Sequence, residues 1–160
     1  MTDPRMEALR QTRLASELDE AELRVLAGLT ALRNLKAGET LVAEGTTDSQ
    51  LYVITHGVLG VVKAAGTPDA VTLHTLSGGD FVDELGFMDG TPNYAAKVAL
   101  SDLQVVGLPR EKLEGVLDDH PRIVYKVMRS IVRVAHQIQR RLSMQQNELQ
   151  NYIYKQHGRY

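Results

Sequence analysis

The chain has 160 residues, enough for one domain with a real core, and 43% of them are hydrophobic. With no cysteine it cannot form disulfides, thiolate zinc sites, iron–sulfur clusters or cysteine nucleophiles. No apolar run nears the roughly 20 residues of a membrane span, and Met1-Thr2-Asp3-Pro4-Arg5 carries no signal-peptide pattern, so a cytoplasmic protein is expected. The formal charge of -2 is unevenly spread: residues 1–120 hold 10 Lys and Arg against 19 Asp and Glu, whereas residues 121–160 hold 8 against the single Glu148. A basic helix can bind nucleic acid or an anionic ligand or be neutralised by the acidic body on which it docks, and the absence of Lys or Arg runs supports the second reading.

In chain order, Ser16-Glu17-Leu18-Asp19-Glu20-Ala21-Glu22-Leu23-Arg24-Val25-Leu26-Ala27 predicts a short amphipathic helix with Ser16 as its N-cap and an acidic first turn. From Leu35 to Leu108 the pattern changes to brief Val- and Leu-rich runs separated by glycine turns. Strands are predicted at 51–54, 58–63, 71–76, 95–99 and 103–108, and regular short strands of this kind make an antiparallel barrel or sandwich. A short helix is expected over 109–117. A long one follows, with Asp119 as N-cap, Pro121 in the first turn and no glycine or proline from Arg122 to His157.

Within the long helix Val124, Met128, Ile131, Ala135, Ile138, Leu142, Gln145 and Leu149 fall at alternating spacings of four and three, a heptad seam with one polar member. Val127 and Val134 widen the apolar surface, so the first half has two faces to bury, one on the barrel and one on a partner. A helix of roughly 35 residues spans about 50 Å, more than one small barrel covers. A homodimer through this seam is therefore expected. The fold class is α+β in a single domain, with residues 1–120 as helix, β-rich centre and short helix, and 121–160 as the long helix and tail.

Several local patterns occur together: Leu35-Lys36-Ala37-Gly38-Glu39-Thr40-Leu41, Glu44-Gly45, Leu51-Tyr52-Val53-Ile54-Thr55-His56-Gly57-Val58-Leu59-Gly60-Val61, and Gly79-Asp80-Phe81. In this order of elements the chain resembles the cyclic-nucleotide-binding domain of the catabolite activator and fumarate-nitrate regulator superfamily, over roughly residues 14 to 150. The resemblance implies a jelly-roll-like β-roll, a double-stranded β-helix, with a long C-terminal helix that closes over the ligand and carries the dimer seam. It also implies a non-enzymatic regulatory sensor.

The same resemblance makes the stretch from Gly79 to Ala96 a phosphate-binding cassette, which in the family usually reads Gly-Glu-Leu-Gly/Ala-Leu and then Arg-Ser/Thr-Ala. Glu84, Leu85 and Gly86 match, Phe87 is a variant of the last position, and Ala96 is the closing alanine. By resemblance Glu84 takes the ribose 2′-hydroxyl. Tyr94, however, stands at the arginine position, Ala95 replaces the hydroxyl residue, and Asp83 stands where a glycine is usual. A tyrosine offers one neutral hydrogen bond, and charge-assisted bonds are about twice as strong. An inward carboxylate about 4 Å from a phosphate opposes it by roughly 4 kcal/mol at an effective dielectric near 20. Cyclic nucleotide is thus a possible ligand bound weakly or atypically, and the alternative is a degenerate sensor kept as an oligomerisation and protein-interaction module.

Three compensations can be read from the residues. Lys97 could replace the arginine only through a bulge or a register change, since regular alternation sends it away from the Tyr94 face. Arg129 and Arg133 could reach over the pocket, although helix arginines more commonly face solvent. A neutral or aromatic ligand could instead sit among Tyr94, Leu85 and Phe87. Alignment from Pro121 places Ile138 and Gln139 where family members meet the purine. The five histidines form no metal-ligand pair, and His74 reads as a partly buried structural imidazole. Asp83 and Glu84 are adjacent in a segment read as extended and so are expected to point oppositely, which gives no acid–base pair. No recognition helix follows the long helix, so sequence-specific DNA binding is not expected of this chain alone.

Overall fold

Leu51, Tyr52, Val53 and Ile54 are almost wholly buried in succession, which a strand achieves only when both of its faces are covered. The computed structural model, which describes the backbone of residues 3–157 and the side chains of residues 3–154, shows the two covers. These residues lie on β3 (Gln50–His56), which pairs antiparallel with β8 (Leu103–Pro109), Leu51 opposite Leu108 and Val53 opposite Val106. With β1 (Ala31–Leu35) beyond β8 and β6 (Phe81–Val82) beyond β3, they form one four-stranded sheet in the order β1-β8-β3-β6. The second sheet runs β2-β7-β4-β5, from Thr40–Val42, Ala96–Ala99, Leu59–Lys63 and Val71–Leu76 respectively.

Alternate residues of β3 and β8 serve different cores. Tyr52, Ile54, Leu103 and Val105 pack between the sheets against Leu59, Val61 and Ala99. Leu51, Val53, Val106 and Leu108 pack outward against helices. Each such buried aliphatic side chain contributes about 1.5–3 kcal/mol. The result is the expected α+β architecture, an antiparallel β-roll of eight strands with N-terminal helices and a long C-terminal helix.

The helices are α1 (Pro4–Arg10), α2 (Glu20–Leu29), α3 (Glu84–Asp89), α4 (Arg110–Glu114) and α5 (Pro121–His157), with a 3-10 turn at Arg13–Ala15. The cap of α2 is Asp19, not Ser16: Asp19 and Glu22 form a reciprocal capping box, while the Ser16 hydroxyl is spent on the Arg13 carbonyl. At the start of α5, His120 precedes the first turn and its carbonyl accepts from the Ile123 and Val124 amides, so Asp119 lies one residue outside the cap.

The buried apolar residues of α5, Ile123, Val127, Ile131 and Val134, all lie in its first four turns, and one turn on, Gln137 accepts a hydrogen bond from Arg13 at 2.8 Å. Of the heptad seam, Ile131 is buried in its own domain and Val124 and Met128 pack against the same core. From Ala135 through Tyr154 the side chains are exposed, including Ile138, Leu142 and Leu149. The basic helix is partly neutralised by the N-terminal region: Lys126 Nζ lies 2.7 Å from Glu22, and Arg129 and Arg133 both reach Glu17. Among the described residues no helix is long and apolar enough to cross a membrane.

Candidate functional site

The chain leaves β6 and turns into α3 at Asp83, a non-glycine residue in the left-handed region with φ 67° and ψ 40°. That turn breaks the alternation of an extended segment, so Asp83 and Glu84 face one cavity of about 190 Å³ instead of pointing apart. Val61, Leu76 and Phe81 give it an apolar floor from the strands, and Ile138 reaches it from α5. The loop from Thr91 to Tyr94 forms one wall, with Leu85 and Tyr94 more than half exposed at the rim. His74 also lines the cavity, exposed on the edge strand β5 and not partly buried as its strand position suggests.

Lys97 is the cation that sequence alternation misplaces. The chain bends at Tyr94 and Ala95, and β7 begins only at Ala96, so counting by twos from Tyr94 fails. Lys97 pairs opposite Val61, and the β2 partner is shifted between Thr40 and Val42. Its side chain is 5% exposed and lines the cavity. The ammonium donates to Asn93 Oδ1 at 3.0 Å and to the Ala95 carbonyl at 3.1 Å, and lies 5.2 Å from the centre of the Tyr94 ring. Asn93, four residues earlier, was the available signal.

Two carboxylates and one ammonium thus share the cavity. Burial raises the Asp83 carboxyl above its ordinary range, against the pull of Lys97 and Asn93. Burial likewise raises Glu84, with Asp83 adding to the effect. Burial lowers the Lys97 ammonium, and Asp83 and Glu84 partly restore it. One Asp83 oxygen, Oδ2, is buried without a hydrogen-bond partner, and such an atom is costly to desolvate.

The residues expected at the site divide. Asp83, Glu84, Leu85, Tyr94 and Ile138 line the cavity. Gly86 is buried beneath the Asp83 carboxylate, and a Cβ there would meet Asp83 Oδ1 at 2.4 Å. Phe87 is no wall of this cavity; it belongs to the core under the helices and borders a separate apolar cavity of about 170 Å³ with Leu113 and Met128. Ala95 packs between the sheets, and Ala96 borders a surface depression beside Thr40 and Glu44. Gln139 is exposed on α5 and does not line the cavity, one residue around the helix from Ile138. Arg129 and Arg133 are held by Glu17 and do not border the cavity.

The family model for the cyclic nucleotide-binding domain matches residues 32–120, from β1 to the residue before α5. The chain belongs to the cyclic nucleotide-binding domain family. Among solved structures, this cyclic nucleotide-binding domain is similar to one from Methylobacillus flagellatus, with TM-score 0.73 and 22% identity over 85% of this chain and 76% of that one. It is also similar to the regulatory subunit of a cAMP-independent protein kinase A from Trypanosoma brucei, with TM-score 0.63 and 25% identity over 83% of this chain and 48% of that one. A CRP-like cAMP-activated global transcriptional regulator of Mycobacterium tuberculosis is 25% identical over 96 residues, 60% of this chain and 43% of the regulator. The neuropathy target esterase of Drosophila ananassae is 28% identical over 110 residues, which are 7% of its length. The chain spans less than half the length of these curated relatives.

Proposed function

We propose that this cyclic nucleotide-binding domain is a non-catalytic sensor, dimeric through α5, whose altered cassette binds cyclic nucleotides weakly and favours a ligand without a free negative charge. The observation that carries this reading is the charge of the cavity: Asp83 and Glu84 against a single Lys97 whose ammonium is already hydrogen-bonded by Asn93 and Ala95. An entering phosphate meets a net negative site, and Tyr94 supplies no second cation. The cavity is also below the roughly 300–1,000 Å³ of usual ligand sites, so a nucleotide-sized ligand requires the exposed rim side chains Leu85 and Tyr94 to move. The Trypanosoma brucei subunit is of a cAMP-independent kinase, and its variant with three substitutions, one of them threonine to arginine, is bound to cAMP.

The test is calorimetric titration of wild type and of Asp83→Gly/Tyr94→Arg with cyclic AMP and cyclic GMP. The variant should bind more tightly. Micromolar binding by wild type with no gain in the variant would overturn the reading.

A second reading, a degenerate sensor kept as an oligomerisation and interaction module, is favoured by the exposed apolar residues Ile138, Leu142 and Leu149 of α5. A dimer of unchanged strength across ligands, with no thermal shift from any cyclic mononucleotide, selects it.

A further inference from the structure

We infer that Lys97 is a latent anion-binding site and that Asp83 is the resident counter-charge that keeps anionic ligands out of it. The inference rests on the reading of this cavity as a ligand site, and it names the pair that sets its charge selectivity. Residue 94, where the sequence pattern puts the anion-binding side chain, has the lesser part.

Both groups border the same cavity, and neither is in contact with an opposite charge, the Tyr94 ring 5.2 Å from the ammonium being neutral as well. The Lys97 side chain is 95% removed from solvent by the 5% exposure of the residue, and an ammonium has three donors. Two are taken by Asn93 Oδ1 and the Ala95 carbonyl, both neutral acceptors. No carboxylate of the described residues forms an ion pair with it, as the seven pairs all involve other cations. On the other side, Asp83 Oδ2 is buried without a partner.

The Asp83 backbone shows that this carboxylate is held in place and not merely nearby. At φ 67° the residue folds its side chain back over Gly86, so close that a Cβ on Gly86 would lie 2.4 Å from Oδ1 and 2.7 Å from Oδ2. Glycine at 86 therefore makes room for the carboxylate as well as for the turn. A charge fixed at the cavity wall and facing a buried ammonium offsets it through space without a contact, since Coulomb energies at low effective dielectric persist over several ångströms. A phosphate entering between them gains the ammonium but is opposed by the carboxylate.

The deciding comparison is cyclic AMP affinity, by titration calorimetry, for wild type, Asp83→Asn, Asp83→Asn/Lys97→Met, Asp83→Asn/Lys97→Arg and Tyr94→Arg. Asparagine keeps the size of aspartate and tolerates the left-handed backbone while removing the charge. Asp83→Asn alone should tighten binding at least about tenfold. The added Lys97→Met should return affinity to the wild-type level, and Lys97→Arg should retain the gain. Melting curves of every variant establish that each is folded, and the arginine variant carries the test if the methionine variant is not. No gain in Asp83→Asn, a gain that survives Lys97→Met, or a gain lost in a folded Lys97→Arg variant overturns the inference. If Tyr94→Arg binds cyclic AMP while Asp83→Asn does not, only the inference fails. If neither these variants nor Asp83→Gly/Tyr94→Arg binds any cyclic nucleotide, the reading of the cavity as a nucleotide-type site fails with it.

Discussion

The Lys97 ammonium lies 5.2 Å from the centre of the Tyr94 ring, so the ring meets the cavity's cation through its face. A cation over an aromatic ring gains about 0.5–1 kcal/mol at exposed sites and more when desolvated. Tyr94→Phe keeps the ring and should leave thermal stability unchanged, whereas Tyr94→Ala should lower it by about 0.5–1 kcal/mol. Equal losses in both variants, measured by denaturant unfolding, would assign the contribution to the hydroxyl and remove the ring from the account.

Asp83 occupies the left-handed region at φ 67°, where a side chain costs roughly 1–2 kcal/mol relative to the right-handed region and glycine is free of that cost. Asp83→Gly and Asp83→Ala both remove the carboxylate, so their difference isolates the backbone. The glycine variant should be the more stable by about 1 kcal/mol, reduced from the full strain by the greater freedom of glycine in the unfolded chain. An alanine variant as stable as the glycine one would show that the turn relaxes out of the left-handed region.

Burial raises the Glu84 carboxyl against a hydrogen bond from its own backbone amide and the pull of Lys97, and the Asp83 charge adds to the rise. Between its unfolded and its raised folded pKa the folded protein binds more protons than the unfolded chain, so this group lowers stability as pH rises through that window. Above the window the penalty is complete. Glu84→Gln should therefore stabilise the protein at neutral pH, and its advantage should shrink as pH falls through the carboxylate range. Glu20, Glu22 and Glu44, lowered by hydrogen bonds to Arg10, Lys126 and the Ala64 amide respectively, run the other way. They are present in both proteins and cancel in the difference of melting temperatures. Lys97, Asp83, Asp80 and His74 also face or influence the group, and a difference that grows on acidification would show that one of them dominates.

Strands β3, β4, β5, β7 and β8 were legible because their apolar runs are bounded by glycines, and α5 because 36 residues from Arg122 to His157 lack a breaker. The short elements β1, β2, β6 and α1 were not assigned, since two to seven residues carry too little periodicity to distinguish from a loop. At the site, Glu84 and Leu85 followed from the cassette pattern, but the orientation of Lys97 did not. Strand alternation predicts direction only within regular extended backbone, and the bend at Tyr94 and Ala95 cancels it. Asp83 does line the cavity, but its orientation relative to Glu84 was misjudged for the same kind of reason: the positive φ at Asp83 breaks the alternation that would send the two side chains apart. Phe87 matched the motif by position, yet the α3 turn carries it to the core under the helices.

Past its buried turns, α5 presents Ile138 at the edge of the cavity and then Leu142 and Leu149, at spacings of four and seven and each about half exposed or more. A helix whose side chains from Ala135 to Tyr154 are all exposed gains little from burial in its own domain, and isolated segments shorter than about 12–15 residues are marginal in water while longer ones fray. In the proposed dimer, a second copy of α5 laid along the seam would add stability through knobs-into-holes packing. Leu142→Glu/Leu149→Glu places like charges along that seam without touching the body, so the variant should sediment as a monomer with the β-roll intact. Its far-ultraviolet circular dichroism should show less helix than wild type, reflecting loss of the overhanging turns. Ile131→Ala is the contrasting change: Ile131 is 5% exposed within the core under the helices, so it should cost about 2–4 kcal/mol of unfolding free energy and melt the body itself. A glutamate variant that remains dimeric, or a wild type that is monomeric throughout the concentration range, would move the dimer contact off this seam and leave the exposed leucines to a different partner.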